Sequence, residues 1–220
     1  MTICLGDRPS IAHHYLTDLR DISRQQDRFR FRASVERLGE IMAVEISKEL
    51  LYEPAAVQTP LGVKQQFKLK QQPILITVLR AGLPYFQGFQ RIFDQADCGF
   101  IGAYRQPAVQ TGKESEEIKI KVDYIASPDL NDRYVVLIDP MLATGKSMVD
   151  TVNQLRGNGR FKKVFIASLI AAPEGIKHIE NELGKETSIY TFSVDEKLND
   201  QSYIVPGLGD AGDLSFGEKV

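Results

Sequence analysis

A chain of 220 residues, 43% of them hydrophobic and 25% charged, fits one soluble globular domain with an ordinary core. A formal net charge of −2 argues against a broad nucleic-acid-binding surface, though not against a local anion pocket. Cys4 and Cys98 lack metal or redox spacing and are expected as free thiols. With no leader pattern and no long apolar run, the expected location is cytoplasmic, without a membrane partner.

DRFRFRASVERLGEIMAVEISKELL (27–51) predicts the first long helix, with Val35, Leu38, Met42, Ile46 and Leu50 on one stripe. Pro54 is expected to stop it, giving N-terminal helices at about 10–52. His13 and His14, near the start, read as a solvated doublet. PILITVL (73–79) is a short apolar run of the kind a buried parallel strand shows. A loop and helix follow, with Phe86, Phe89 and Phe93 at core spacing. CGFIGAYR (98–105) and the alternating IKIKVDYIA (118–126) read as strands, and the Glu-rich stretch 110–117 between them as a solvated hairpin tip.

RYVVLID (133–139) is the clearest buried strand. Met148, Val152 and Leu155 then give helical spacing, closed by Gly157 and Gly159. KVFIASLIAA (163–172) reads as one more buried strand, EGIKHIENELG as a helix, and SIYTFSV (188–194) as a strand. Strands alternating with helices predict an α/β fold with a mostly parallel sheet: one domain, with its core at about 70–194 and a C-terminal segment at about 195–217.

VVLIDPMLATGKSMVD (135–150) ends like a Walker phosphate loop, but Pro140 stands where that motif needs its first glycine. What remains is a strand, a turn of small residues and a helix start. Ala143, Thr144, Gly145 and Ser147 leave backbone donors open, which suits a phosphate monoester without a Walker lysine. Asp139, at the carboxyl end of the strand, suits the vicinal hydroxyls of a ribose, or a metal held against them. The plain alternative is an ordinary strand–turn–helix joint with Asp139 as a cap. GLGDAG (207–212) satisfies a dinucleotide pattern, yet too little chain follows to build the βαβ unit that pattern requires. Its glycines instead suit close backbone approach to a flat, hydrogen-bonding base.

DPMLATGKS (139–147) and YIVPGLGDAGD (203–213) together resemble the signature segments of the uracil phosphoribosyltransferases, a type I phosphoribosyltransferase family. LRAGLPY (79–85), GAYR (102–105), APEGI (172–176), VDEKLND (194–200) and FRASVERLGEIMAVEISKEL (31–50) extend the resemblance over nearly the whole chain, in the family's order. The resemblance implies a type I phosphoribosyltransferase-like fold with a small C-terminal hood over the base and a β-arm. It implies pyrimidine salvage: uracil and phosphoribosyl pyrophosphate (PRPP) give UMP and diphosphate, with Mg²⁺.

By the same resemblance, PRPP meets Arg80, Arg105, Asp139, Pro140, Met141, Leu142, Ala143, Thr144, Gly145, Lys146, Ser147 and Asp210. Uracil meets Ile204, Gly209, Asp210 and Ala211. Asp210, Arg105 and Arg80 carry the catalysis, and no direct protein ligand of the metal is assigned. GTP as an activator and a homodimer or larger homo-oligomer are further family expectations. The chain departs from the family at 106–117, where QPAVQTGKE replaces an acidic run, at Lys146 in place of a glycine, and at Leu214 in place of a basic residue. A non-catalytic, RNA-binding nucleotide sensor of the same fold is the alternative; it would need a basic surface cluster, which this mildly acidic chain does not display.

Overall fold

The structure, a computed structural model, describes residues 1–105 and 120–219. In chain order its elements are β1 (Thr2–Cys4), α1 (Ile11–Arg20), α2 (Arg28–Ser47), β2 (Tyr52–Thr59), β3 (Gly62–Leu69), β4 (Ile74–Leu79), α3 (Gly82–Ile92), β5 (Cys98–Arg105), β6 (Ile120–Ala126) and β7 (Tyr134–Ile138). Then come β8 (Met141–Leu142), α4 (Lys146–Leu155), β9 (Lys163–Ala167), β10 (Ile170–Ala171), α5 (Pro173–Leu183), β11 (Thr187–Thr191), β12 (Ser193–Val194), β13 (Lys197–Leu198), β14 (Ile204–Val205) and α6 (Ala211–Phe216).

Seven strands form the main sheet in the order β1-β11-β9-β7-β4-β5-β6, all parallel except β6, which runs antiparallel to β5. The central strands are almost wholly apolar because both of their faces are covered. In β7, Val136 and Ile138 pack with α1, α2 and α3, while Val135 and Leu137 pack with α4 and α5. The same alternation splits β4 between Leu75 on the first face and Ile74, Ile76 and Val78 on the second. Phe86, Phe89 and Phe93 are buried in the first core, as their spacing predicts.

Three readings of element boundaries change. The helix expected over 27–51 ends at Ser47, seven residues short of Pro54, and Pro54 lies inside β2 of an antiparallel hairpin with β3. Proline is tolerated there because each strand of a two-stranded ribbon has an edge that needs no donor. The strand expected over 163–172 is two strands, β9 and β10, and the one over 188–194 is β11 and β12. Both break where the chain steps out of the main sheet: Ser168 donates its N–H to the Tyr190 carbonyl, Leu169 to Pro140 and Phe192 to Leu169. Beyond that step, β8, β10 and β12 form a second, small parallel sheet in the order β12-β10-β8.

His13 is not a solvated doublet residue. Its Nδ1 accepts the Ser10 N–H at 3.2 Å and its Nε2 meets the Gly6 carbonyl at 3.2 Å, closing a capping box at the start of α1. The hairpin tip expected at 110–117 lies outside the described residues. Among the described residues, no helix is long and apolar enough to cross a membrane.

Candidate active site

Neighbouring parallel strands deliver their carboxyl ends to one edge of the sheet, the edge at which α/β folds bind ligands. β7 ends at Ile138 and hands on Asp139, β4 ends at Leu79 and hands on Arg80, and β5 ends at Arg105. Because β4 lies between β7 and β5, Arg80 emerges between Asp139 and Arg105. The Leu79–Arg80 peptide is cis. The side-chain position of Arg105 lies outside the described atoms.

The small second sheet holds the candidate phosphate loop. Pro140 is buried, and its carbonyl accepts the amides of Leu169 at 2.9 Å and Ile170 at 3.2 Å. Met141 and Leu142 pair with Ile170 and Ala171. Asp139 Oδ1 accepts the Met141 N–H at 3.1 Å, so the carboxylate caps the turn as well as facing the edge. Thr144 Oγ1 accepts the Lys146 N–H at 3.4 Å, and α4 begins at Lys146.

Gly145 caps that helix with φ +76°, a left-handed conformation that favours glycine. A Cβ at Gly145 would lie 2.7 Å from the Gly175 carbonyl, and one at Gly175 would strike the Ala143 carbonyl. The loop and the first turn of α5 therefore touch backbone to backbone. That contact is the physical role of the glycine in APEGI, and it sets the amino ends of α4 and α5 side by side. Glu174, next to it, accepts the Leu198 N–H at 3.1 Å and so ties α5 to the β13–β14 hairpin.

That hairpin opens the C-terminal segment. The Ile204 side chain is buried in the first core. Gly209 is exposed, and Ala211 is buried. Asp210 is the N-cap of α6: its Oδ1 accepts the amides of Gly212 at 2.8 Å and Asp213 at 3.0 Å. Lys219 Nζ stands 3.9 Å from its Oδ2.

Arg80 crosses to this segment. Its guanidinium donates to Asp213 Oδ1 at 3.0 Å and to the Gly217 carbonyl at 3.2 Å, and a Cβ on Gly212 would touch that of Ala81. The loop after β4, the phosphate loop, the start of α5 and the segment 204–217 thus form one linked set of backbones around a single edge of the sheet.

A family model described as Uracil phosphoribosyltransferase matches residues 7–218. The chain belongs to the uracil phosphoribosyltransferase family. A uracil phosphoribosyltransferase of Porphyromonas gingivalis is 41% identical over 218 residues, covering 99% of each chain, and one of Shouchella clausii is 38% identical over 215 residues, covering 97% of each. The solved structure of the AQ2163 protein from Aquifex aeolicus superposes with a TM-score of 0.86 at 33% identity, covering all of both chains. The architecture described above is accordingly the type I phosphoribosyltransferase fold, and the chain is a member of an enzyme family of pyrimidine salvage.

Several contacts around this edge of the sheet are not foretold by any motif. Asp213 lies inside the recognised segment, but nothing in the spacing pairs it with Arg80. Asp195 and Arg20 fall outside both signature segments. Burial pushes the Asp195 carboxyl up, but the Arg20 guanidinium, the Ser193 hydroxyl and the Gly207 amide together hold it below the usual aspartate value.

Proposed function

We propose that the protein transfers the phosphoribosyl group of PRPP to uracil, giving UMP and diphosphate. The observation that carries this reading is that the loop after β4 is joined to the base-type segment through Arg80 and Asp213, at the same sheet edge where β7 hands on the phosphate-type loop. In the reaction, the bond from ribose C1 to the diphosphate oxygen breaks with its electron pair leaving on diphosphate. The bond from C1 to uracil N1 forms, and the N1 proton is lost to solvent. Neither step needs a protein nucleophile, so catalysis is positioning and charge stabilisation around an oxocarbenium-like C1.

Each assigned residue has a part. The turn from Pro140 to Ser147, including Met141, Leu142, Ala143, Thr144, Gly145 and Lys146, surrounds the 5-phosphate, with amides at the start of α4 and the hydroxyls of Thr144 and Ser147 as donors. Asp139 takes the ribose hydroxyls. Arg80 and Arg105 face the diphosphate, whose oxygens suit a guanidinium fork. For Arg80 this means exchanging the Asp213 carboxylate for a more highly charged partner. Backbone groups of Ile204, Gly209, Asp210 and Ala211 meet the uracil edge, where an N3–H lies between two carbonyls. Cytosine reverses part of that pattern and would leave buried groups unpaired.

Among the described residues, no three His, Cys, Asp or Glu side chains gather into a metal cage. This donor set fits Mg²⁺, which keeps its waters and binds mainly through substrate phosphates with one or two carboxylates. Asp210, through the oxygen not used as a cap, is the residue to hold it. When bound, the ion neutralises charge on the departing diphosphate. A cytoplasmic location, activation by GTP and assembly as a homo-oligomer belong to the same reading. A non-catalytic sensor finds no support among the relatives.

The test is a base panel: protein, Mg²⁺ and PRPP with uracil, cytosine, adenine, guanine, hypoxanthine or orotate, with and without GTP. UMP from uracil alone is the expected outcome. Product from another base overturns the base site, and no product from any base overturns the enzymatic reading.

A further inference from the structure

Arg20, at the end of α1, and Asp195, just after β12, lie 175 positions apart and meet beside the base-type segment. The Asp195 side chain is only 4% exposed and accepts four hydrogen bonds. Two come from the Arg20 guanidinium at 2.7 and 2.8 Å, one from Ser193 Oγ at 2.8 Å and one from the Gly207 N–H at 2.9 Å. Arg20 Nη1 also donates to the Gly207 carbonyl at 2.9 Å. Both polar groups of Gly207 are therefore gripped by one ion pair.

Gly207 has φ +61°, and a Cβ there would strike the Ile204 carbonyl. Gln25 Nε2 reaches the next carbonyl, that of Leu208, at 3.4 Å. The loop is fastened at 207 and 208. One residue further on, exposed Gly209 makes no hydrogen bond to another described residue.

A base read by backbone groups needs those groups held still, and a glycine-rich loop has few side chains of its own to do this. A bidentate guanidinium–carboxylate pair is among the stiffest fasteners available. We propose that Arg20 and Asp195 are positioning residues for base recognition: they set the Gly207–Gly209 backbone from below, so α1 shapes the base site without touching the substrate. The inference rests on the uracil reading of that site.

Arg20→Lys and Asp195→Asn test it, with steady-state kinetics in each substrate, calorimetric binding of UMP and of ribose 5-phosphate, and melting curves. Because misplacement of a reacting group by about 1 Å is costly, KM for uracil is expected to rise about tenfold or more, with KM for PRPP within about twofold. UMP should bind correspondingly more weakly, and ribose 5-phosphate as before. Arg20→Lys keeps the charge and carries the test if Asp195→Asn does not fold. A folded Arg20→Lys protein with unchanged KM for uracil, or with both KM values raised equally, overturns the proposal. Wild-type protein inert toward uracil removes the reading of the site instead. In that event an unchanged ratio of UMP to ribose 5-phosphate affinity in Arg20→Lys overturns the clamp as well.

Discussion

Asp210 accepts the amides of Gly212 and Asp213 through one oxygen, so asparagine at this position keeps the helix cap and removes the charge. Asp210→Asn is expected to lower kcat by about 100-fold or more while the melting temperature stays near that of the wild type. Asp210→Ala loses the cap too and should cost about 1 kcal/mol of stability in addition. Kinetics and melts on the two variants separate the roles; near-normal turnover in Asp210→Asn would remove the residue from the chemistry. The place of Asp139 at a strand end is legible in the sequence, and those of Arg80 and Asp210 through the family resemblance of the segments that carry them. Their partners are not. Asp213 meets Arg80 only because α6 folds back over the loop after β4, and Arg20 meets Asp195 across almost the whole chain.

The strands of the central sheet are readable as elements because burial on both faces leaves an unbroken apolar run. The same property hides their ends. In KVFIASLIAA the step falls at Ser168, a single small residue that is itself buried, so it does not interrupt the apolar run enough to mark two strands. Hairpin β2–β3 escapes for the opposite reason: it is solvated on nearly every residue and shows no hydrophobic period. The step matters more than its size suggests, because the small sheet beyond it seats the phosphate loop. Gly145→Ala tests that seating. Its Cβ meets the Gly175 carbonyl, and its backbone is left-handed. The variant should lose about 1–2 kcal/mol and raise KM for PRPP more than KM for uracil, as read by denaturant unfolding and two-substrate kinetics.

Across the whole molecule, pH acts on stability through a few groups. Asp195 and Asp18 titrate below the usual aspartate value, Asp18 chiefly through Arg24, with Arg30 adding to it against a desolvation cost. A depressed carboxylate contributes stability that is present above its unfolded pKa and lost as pH falls through the folded one, so the loss begins below about pH 4. At the other limb, burial pushes Tyr190 up to about 12, with Glu49 and Glu45 adding to the effect, and burial alone raises Tyr85. Their contribution is present below about pH 10 and fades as pH climbs from there. Urea midpoints should be highest between these limits and fall beyond both. The last tyrosinate absorbance should appear only with unfolding; full tyrosine ionisation in protein that is still folded would contradict the burial of these two phenols.

The strand at Thr2–Cys4 pairs with β11 at Ile189, Tyr190 and Thr191. A ribosome releases chain from the amino end, so this strand leaves the exit tunnel long before its neighbour in the sheet has been translated. Arg20 waits in the same way for Asp195 and Gly207. The nascent polypeptide therefore carries this segment without these partners until β11 and the residues after it have been translated. That edge of the sheet can be completed only once β11 has been made.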